Sequence, residues 1–162
     1  HVPESRRLGE EGRGFVHALE TLNGGRITIA ARSVGIAQAA LDEALDYADE
    51  REQFGQRIGD FQAIQHKLAD MDTKTRAARL LMHSAADKKM RGESFAKEAA
   101  QAKLYASEVS REVANEGIQI HGGYGYVKDF PMERFFRDAK LNEIYEGTSE
   151  VLRNTIAGQL LD

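Results

Sequence analysis

Cysteine and tryptophan are missing from this 162-residue sequence, and proline occurs only twice. Without cysteine the chain can form no disulfide, zinc–thiolate site or iron–sulfur ligation of its own, which fits a reducing compartment. The scarcity of proline predicts long uninterrupted helices. Charge of one sign is not in excess: 22 basic residues face 26 acidic ones, for a net charge of −4. No dense Lys/Arg block marks a nucleic-acid surface. No apolar run approaches the roughly 20 residues of a membrane span, and no signal peptide is visible. What remains is 41% hydrophobic and 30% charged residues, the composition of a globular chain long enough to bury a core. The first residue is His1 rather than Met, compatible with a processed product, a trimmed chain or one piece of a longer protein.

The opening "HVPESRRLGEEGRG" is polar and glycine-rich and reads as a linker, residues 1–14, from an upstream region. Residues 15–162 read as one helical domain. Phe15, Val16, Ala18, Leu19 and Leu22 predict a helix of about three turns, and "NGG" (Asn23 to Gly25) a turn or a new helix start. From Arg26 to about Gln53, Ile27, Ala31, Val34, Leu41, Leu45 and Ala48 recur on one face. Ala30, Ala37, Ala40 and Ala44 form a second stripe of small residues, so this helix should be central. "FGQRIG" breaks the pattern. A second long helix is predicted from about Asp60 to Lys89, with Phe61, Ile64, Leu68, Met71, Thr75, Ala78, Met82 and Ala85 as its seam. A third runs from about Phe95 to Gln119, with Ser94 as N-cap. Pro131 suits the first turn of a short helix to about Ala139, and Thr148 can cap a last one, about Ser149 to Leu161. No strand or internal repeat is evident. The expected fold is all-α: an antiparallel bundle of three long helices with shorter ones packed on it.

Familiar sites are absent. The glycines of "GGYGYVK" are wrongly spaced for a dinucleotide fingerprint and follow a helix instead of a strand. There is no phosphate-loop lysine and no His-Glu-x-x-His. The i, i+4 pairs His66/Asp70 and His83/Asp87 read as solvated surface pairs lacking further metal ligands. Three constellations are left. In "DEREQFGQ", Arg51 is either a helix-capping cation beside a core Phe54 or a fork for a phosphate diester with Phe54 against a ring. In "QIHGGYG", Gly122 and Gly123 are either a helix C-cap and turn or amides open to a ligand. In "NEIYEGTSEVLRN", Glu146 is either a helix-start acid or a base.

Three stretches together, "LNGGRITIAARSVGIAQAALDEALDYADEREQFGQRIGDFQAIQHKLADM", "QIHGGYGYVKDFPMERFFRDAK" and "EIYEGTSEVLR", resemble the C-terminal helical domain of the acyl-CoA dehydrogenases. The likeness runs from about Leu8 to Leu161. It implies α,β-desaturation of an acyl-CoA thioester with FAD, as in fatty acid β-oxidation, and an electron-transferring flavoprotein as acceptor. By this resemblance Glu146 is the base for the α-proton while a hydride passes from the β-carbon to flavin N5. The Glu146 amide would bind the thioester carbonyl, Gly147 would leave room for the acyl chain, and Tyr145 would line its pocket. Relatives that carry the base elsewhere have it where this chain has Gly25. Arg26 matches an arginine holding the CoA portion, and Asn23 stands where many relatives carry Asp. Arg51, Gln53, Phe54, Phe61 and Gln62 would surround the adenine–pyrophosphate part of FAD. Gln119, Ile120, His121, Gly122 and Gly123 would meet the same cofactor from a neighbouring subunit, and Thr148 and Glu150 would also reach it.

The resemblance further implies a homodimer or homotetramer and a bacterial cytosol or a mitochondrial matrix. Family enzymes carry an N-terminal helical and a middle β-domain before this one, so the isolated chain is expected to bind FAD weakly and to be nearly inactive. An acyl-CoA oxidase-like relative and a non-catalytic helical oligomerisation module are the competing readings.

Overall fold

The computed structural model describes residues 1–161. Three long helices form the body: α1 (Gly14–Glu50), α2 (Gln62–Met90) and α3 (Ala96–His121). Two shorter ones, α4 (Met132–Asn142) and α5 (Ser149–Leu161), pack against α3, and α4 also touches α1. The all-α bundle read from the periodicity is what forms. Residues 1–13 are exposed and hold only a single 3-10 turn, Glu4–Arg6.

The core follows the small residues. Ala30, Ala37, Ala40 and Ala44 of α1 are completely buried, as are Ala99, Ala102, Ala106 and Ala114 of α3. Side chains this small let the two helix backbones approach closely. Val34, Leu41, Met71, Val109, Val113 and Met132 fill what remains. The expected first face of α1 is therefore only partly right: Leu45 is 45% exposed, and the alanine stripe is the true seam. The α2 seam holds at Met71, Thr75, Ala78 and Ala85.

Four local expectations are corrected. The "NGG" turn does not exist, because α1 runs unbroken through Asn23–Gly25. Glycine lowers helix stability by about 1 kcal/mol without forbidding the conformation, and both glycines face neighbours that need the room. An added Cβ on Gly24 would lie 3.2 Å from Lys89 Nζ, and one on Gly25 only 2.6 Å from Glu146 Oε2. Second, α1 ends at Glu50, and a small antiparallel hairpin follows, β1 (Glu52–Gln53) paired with β2 (Gln56–Arg57). Its two-residue loop, Phe54–Gly55, has φ of 56° and 82°, the positive pair of a type I′ turn. Phe54 is 94% exposed, so it is no core plug. Third, a 3-10 turn at Ile58–Asp60 delays α2 to Gln62. Fourth, Phe95, not Ser94, is the N-cap of α3, since its carbonyl accepts the first helical bond from the Ala99 amide at 2.8 Å.

Candidate functional site

The segment Glu143–Thr148 joins α4 to α5 and crosses over α1. Glu146 has φ of 55° and Gly147 has φ of 100°. A left-handed conformation is costly for a residue with a Cβ, so the surroundings must hold it. They do so at four points. Lys103 Nζ donates to the Gly147 carbonyl at 2.7 Å. Arg111 Nε and Lys140 Nζ donate to the two carboxylate oxygens of Glu143 at 2.6 and 2.5 Å. Tyr145 Oη donates to Asn142 Oδ1 at 2.9 Å and accepts from Arg32 Nη1 at 2.5 Å. The Ser149 amide donates to the Glu143 carbonyl at 3.2 Å. Thr148 caps α5 as expected, with its Oγ1 accepting from the Val151 amide at 3.4 Å.

Held this way, the half-buried Glu146 lays its carboxylate over the bare backbone of Gly25. Arg26 is the next residue of α1. It is 93% buried by the 7% of its surface left exposed, and its Nη1 donates to Asn23 Oδ1 at 2.8 Å. Burial pushes the Arg26 guanidinium below its ordinary pKa, and Glu146 pulls it back up. Lys103 is fully buried, and its ammonium is pushed down to about 8, first by burial and then by Arg26, against the pull of Glu143, Glu146 and Glu108. Burial alone would raise Glu143, but its bonds to Lys140 and Arg111 prevail and hold it below the usual carboxylate range. Asn23, Gly25, Arg26, Tyr145, Glu146 and Gly147 are thus brought together, with the Glu146 carboxylate near the buried cations Arg26 and Lys103.

A second site lies at the far end of α1. Arg26 and Tyr47 are separated by roughly 30 Å along the helix axis. There a cavity of about 640 Å³ is lined by Arg51, Gln53, Ile120, His121, Gly122 and Gly123, with Tyr47 and Tyr124 among its other walls. Arg51 is stacked over the Tyr124 ring at 5.6 Å, and Tyr47 stacks on His121 at 4.1 Å. Gly122 has φ of 60°, and a Cβ on it or on Gly123 would meet nothing within 4 Å, so this backbone is open to a ligand. His121 Nδ1 bonds the Gly117 carbonyl at 2.8 Å, while its buried Nε2 has no partner. Burial lowers the His121 pKa, opposed by that carbonyl.

The remaining expected residues sit apart from this cavity's walls. Phe61 is half-buried and meets the Phe54 ring edge-on at 6.3 Å. Gln62 and Gln119 are exposed. Thr148 and Glu150 flank a separate cavity of about 200 Å³ beside the Glu146 segment. The Glu150 carboxyl is lowered by its own amide and by the Thr148 hydroxyl. Arg51 and Gln53 share one cavity of this chain with Ile120–Gly123. Sequence reasoning passed over Lys103, Arg32, Asn142, Tyr47 and Tyr124. For Lys103 a signal existed, because a lysine between Ala99, Ala102 and Ala106 stands on the apolar stripe of α3.

The comparisons agree with this architecture. Residues 12–161 match the family described as acyl-CoA dehydrogenase, C-terminal domain, and the chain belongs to that family. It is 51% identical over 99% of its length to the caffeyl-CoA reductase–Etf complex subunit CarC of Acetobacterium woodii, covering 42% of that protein. It is 52% identical over 99% of its length to the mitochondrial short-chain specific acyl-CoA dehydrogenase of Bos taurus, covering 39% of it. Its fold superposes on the butyryl-CoA dehydrogenase of Megasphaera elsdenii with a TM-score of 0.98 at 50% identity, over 99% of this chain and 42% of that one. The chain therefore spans about two fifths of the proteins it matches.

Proposed function

We propose that this chain is the helical catalytic portion of a flavin-dependent acyl-CoA dehydrogenase that introduces a double bond between Cα and Cβ of an acyl-CoA thioester. The observation that carries the reading is the Glu146 carboxylate held over Gly25 beside buried Arg26. A carboxylate carried on a backbone turn that costs energy to hold is suited to accept a proton from carbon. Glu146 takes the α-proton as the Cα–H bond breaks. The Glu146 amide donates to the thioester oxygen, where charge develops. Gly147, with no side chain, leaves passage for the acyl chain, and Tyr145 is held beside it by Arg32. Arg26, with Asn23, takes the anionic CoA portion.

FAD fits the cavity at the far end of α1. Arg51 supplies a cation, Gly122 and Gly123 supply open amides, and Tyr47, Tyr124 and the unpartnered His121 Nε2 supply an aromatic, polar wall. When bound, the flavin would accept the hydride that leaves Cβ. One chain separates its base from this cavity by roughly 30 Å, so one chain would offer Arg51, Gln53 and Gly122–Gly123 while the other offers Glu146, Thr148 and Glu150. This makes the working unit a dimer or a dimer of dimers. The relative named as a subunit of an Etf complex supports an electron-transferring flavoprotein as acceptor. A bacterial cytosol or mitochondrial matrix suits the reading, and no helix among the described residues is long and apolar enough to cross a membrane.

The name of that same relative, a reductase, favours a second direction: with Glu146 protonated, the same residues would return a proton to Cα of an enoyl thioester, for which a reduced flavin, when bound, would supply the hydride to Cβ. In the native gene product loaded with FAD, Glu146→Gln is expected to lower dye reduction by butyryl-CoA at least about 10²-fold. An unchanged rate would refute the base. Peroxide released during turnover in air would favour the oxidase reading. Wild-type protein that binds neither FAD nor acyl-CoA would leave the oligomerisation module.

A further inference from the structure

Lys103 is buried with none of its surface exposed, between the fully buried Ala99, Ala102 and Ala106 of α3. Its long stem places one ammonium under the segment that carries the proposed base. Nζ donates to the Gly147 carbonyl at 2.7 Å, the peptide oxygen immediately after Glu146 and within a left-handed turn. We propose that Lys103 is a positioning residue for Glu146: its ammonium, bonded to the Gly147 carbonyl, fixes the backbone turn that lays the carboxylate over Gly25.

Three features carry this. The turn contains one non-glycine residue of positive φ, and the bond from Lys103 is made to the next residue's carbonyl, so it restrains ψ of Gly147 and, through it, the path of Glu146. The charged groups around Lys103 come from three elements: Arg26 of α1 repels it, and Glu143 and Glu146 of the joining segment and Glu108 of α3 attract it. It makes no salt bridge to any of these carboxylates within 4.0 Å among the described residues, so its one strong partner is the turn itself. Burying such a charge costs stability, and a methionine would fill the same space without that cost.

The inference rests on the proposed role of Glu146. The test uses FAD-loaded native gene product and two measurements. The first is kcat with butyryl-CoA against pH. The second is exchange of the α-proton into D2O for an acyl-CoA analogue with sulfur in place of the β-carbon, which cannot lose hydride. Lys103→Met is expected to reduce both about 10²-fold while KM changes little. Lys103→Arg, charged at every pH, is expected to recover part of the loss. It should also lack the fall in kcat expected of the wild type as pH rises through about 8. Native α-proton exchange in a folded Lys103→Met protein would overturn the proposal. Should that variant fail to fold, the same alkaline fall in wild type and Lys103→Arg would overturn it instead. Full exchange in Glu146→Gln would sink the functional reading itself; loss there with full exchange in Lys103→Met would sink only the lysine's role.

Discussion

At Gly25 a hydrogen in place of a methyl decides where a carboxylate can rest. Gly25→Ala would favour helix α1 by up to about 1 kcal/mol, yet its Cβ would stand 2.6 Å from Glu146 Oε2. The carboxylate is the end of a flexible side chain, so it would swing away at little cost in stability. The expected outcome is a protein as stable as the wild type by thermal unfolding, with turnover lowered at least about tenfold by the displaced base. Lys103 makes a separate prediction about stability. Its pKa falls from 10.5 to about 8 on folding, so between these values the unfolded chain binds more protons. Stability must then rise with pH from about 8 to 10.5 and be flat with respect to this group below 8. Urea unfolding across that range checks the slope, and Lys103→Met should remove its contribution. Glu146, Arg26 and Asn23 were legible as single letters in the sequence. The scaffold of Lys103, Arg111 and Arg32 around them was not, because those contacts join residues 32 to 113 positions apart.

The elements were legible where a period of 3.6 ran long enough. The α2 seam was read correctly because four buried residues repeat along it. The breaks were read less well. Two adjacent glycines announced a turn in α1, but their reason is packing, visible only once Lys89 and Glu146 stand opposite them. The hairpin was missed because strands of two residues carry no alternation, although an exposed Phe-Gly pair between them makes the turn. A comparable glycine lies deeper: an added Cβ on Gly117 of α3 would be 1.9 Å from Met132 Cε, and Met132 is fully buried. Gly117→Ala should therefore destabilise the α3–α4 packing by about 1–3 kcal/mol despite its better helix propensity. Urea unfolding would read this, and the Gly25→Ala protein serves as the control in which the same substitution meets a side chain free to move.

For the whole molecule, the base and the proposed cofactor cavity stand at opposite ends of α1. This separation is the ground on which active sites shared between two copies are proposed. Arg51→Ala and Glu146→Gln should each inactivate a homo-oligomer, the first through the cavity and the second through the base. Refolded together, the two variants would form mixed dimers with one intact site. Random pairing in a twofold-symmetric dimer would restore about a quarter of wild-type turnover, and no recovery would mean that both residues serve the same site from one chain. This arrangement was not legible from composition or periodicity; it came from the motifs that resemble the family and from the length of one helix.

The central claim is that the Glu146 carboxylate removes a proton from Cα. Its most direct test is the appearance of deuterium at Cα of a bound, non-oxidisable acyl-CoA analogue in D2O, followed by NMR for wild type and Glu146→Gln. Exchange that is rapid in the wild type and at least about 10²-fold slower in the variant is predicted. Equal exchange in the two proteins would contradict the account.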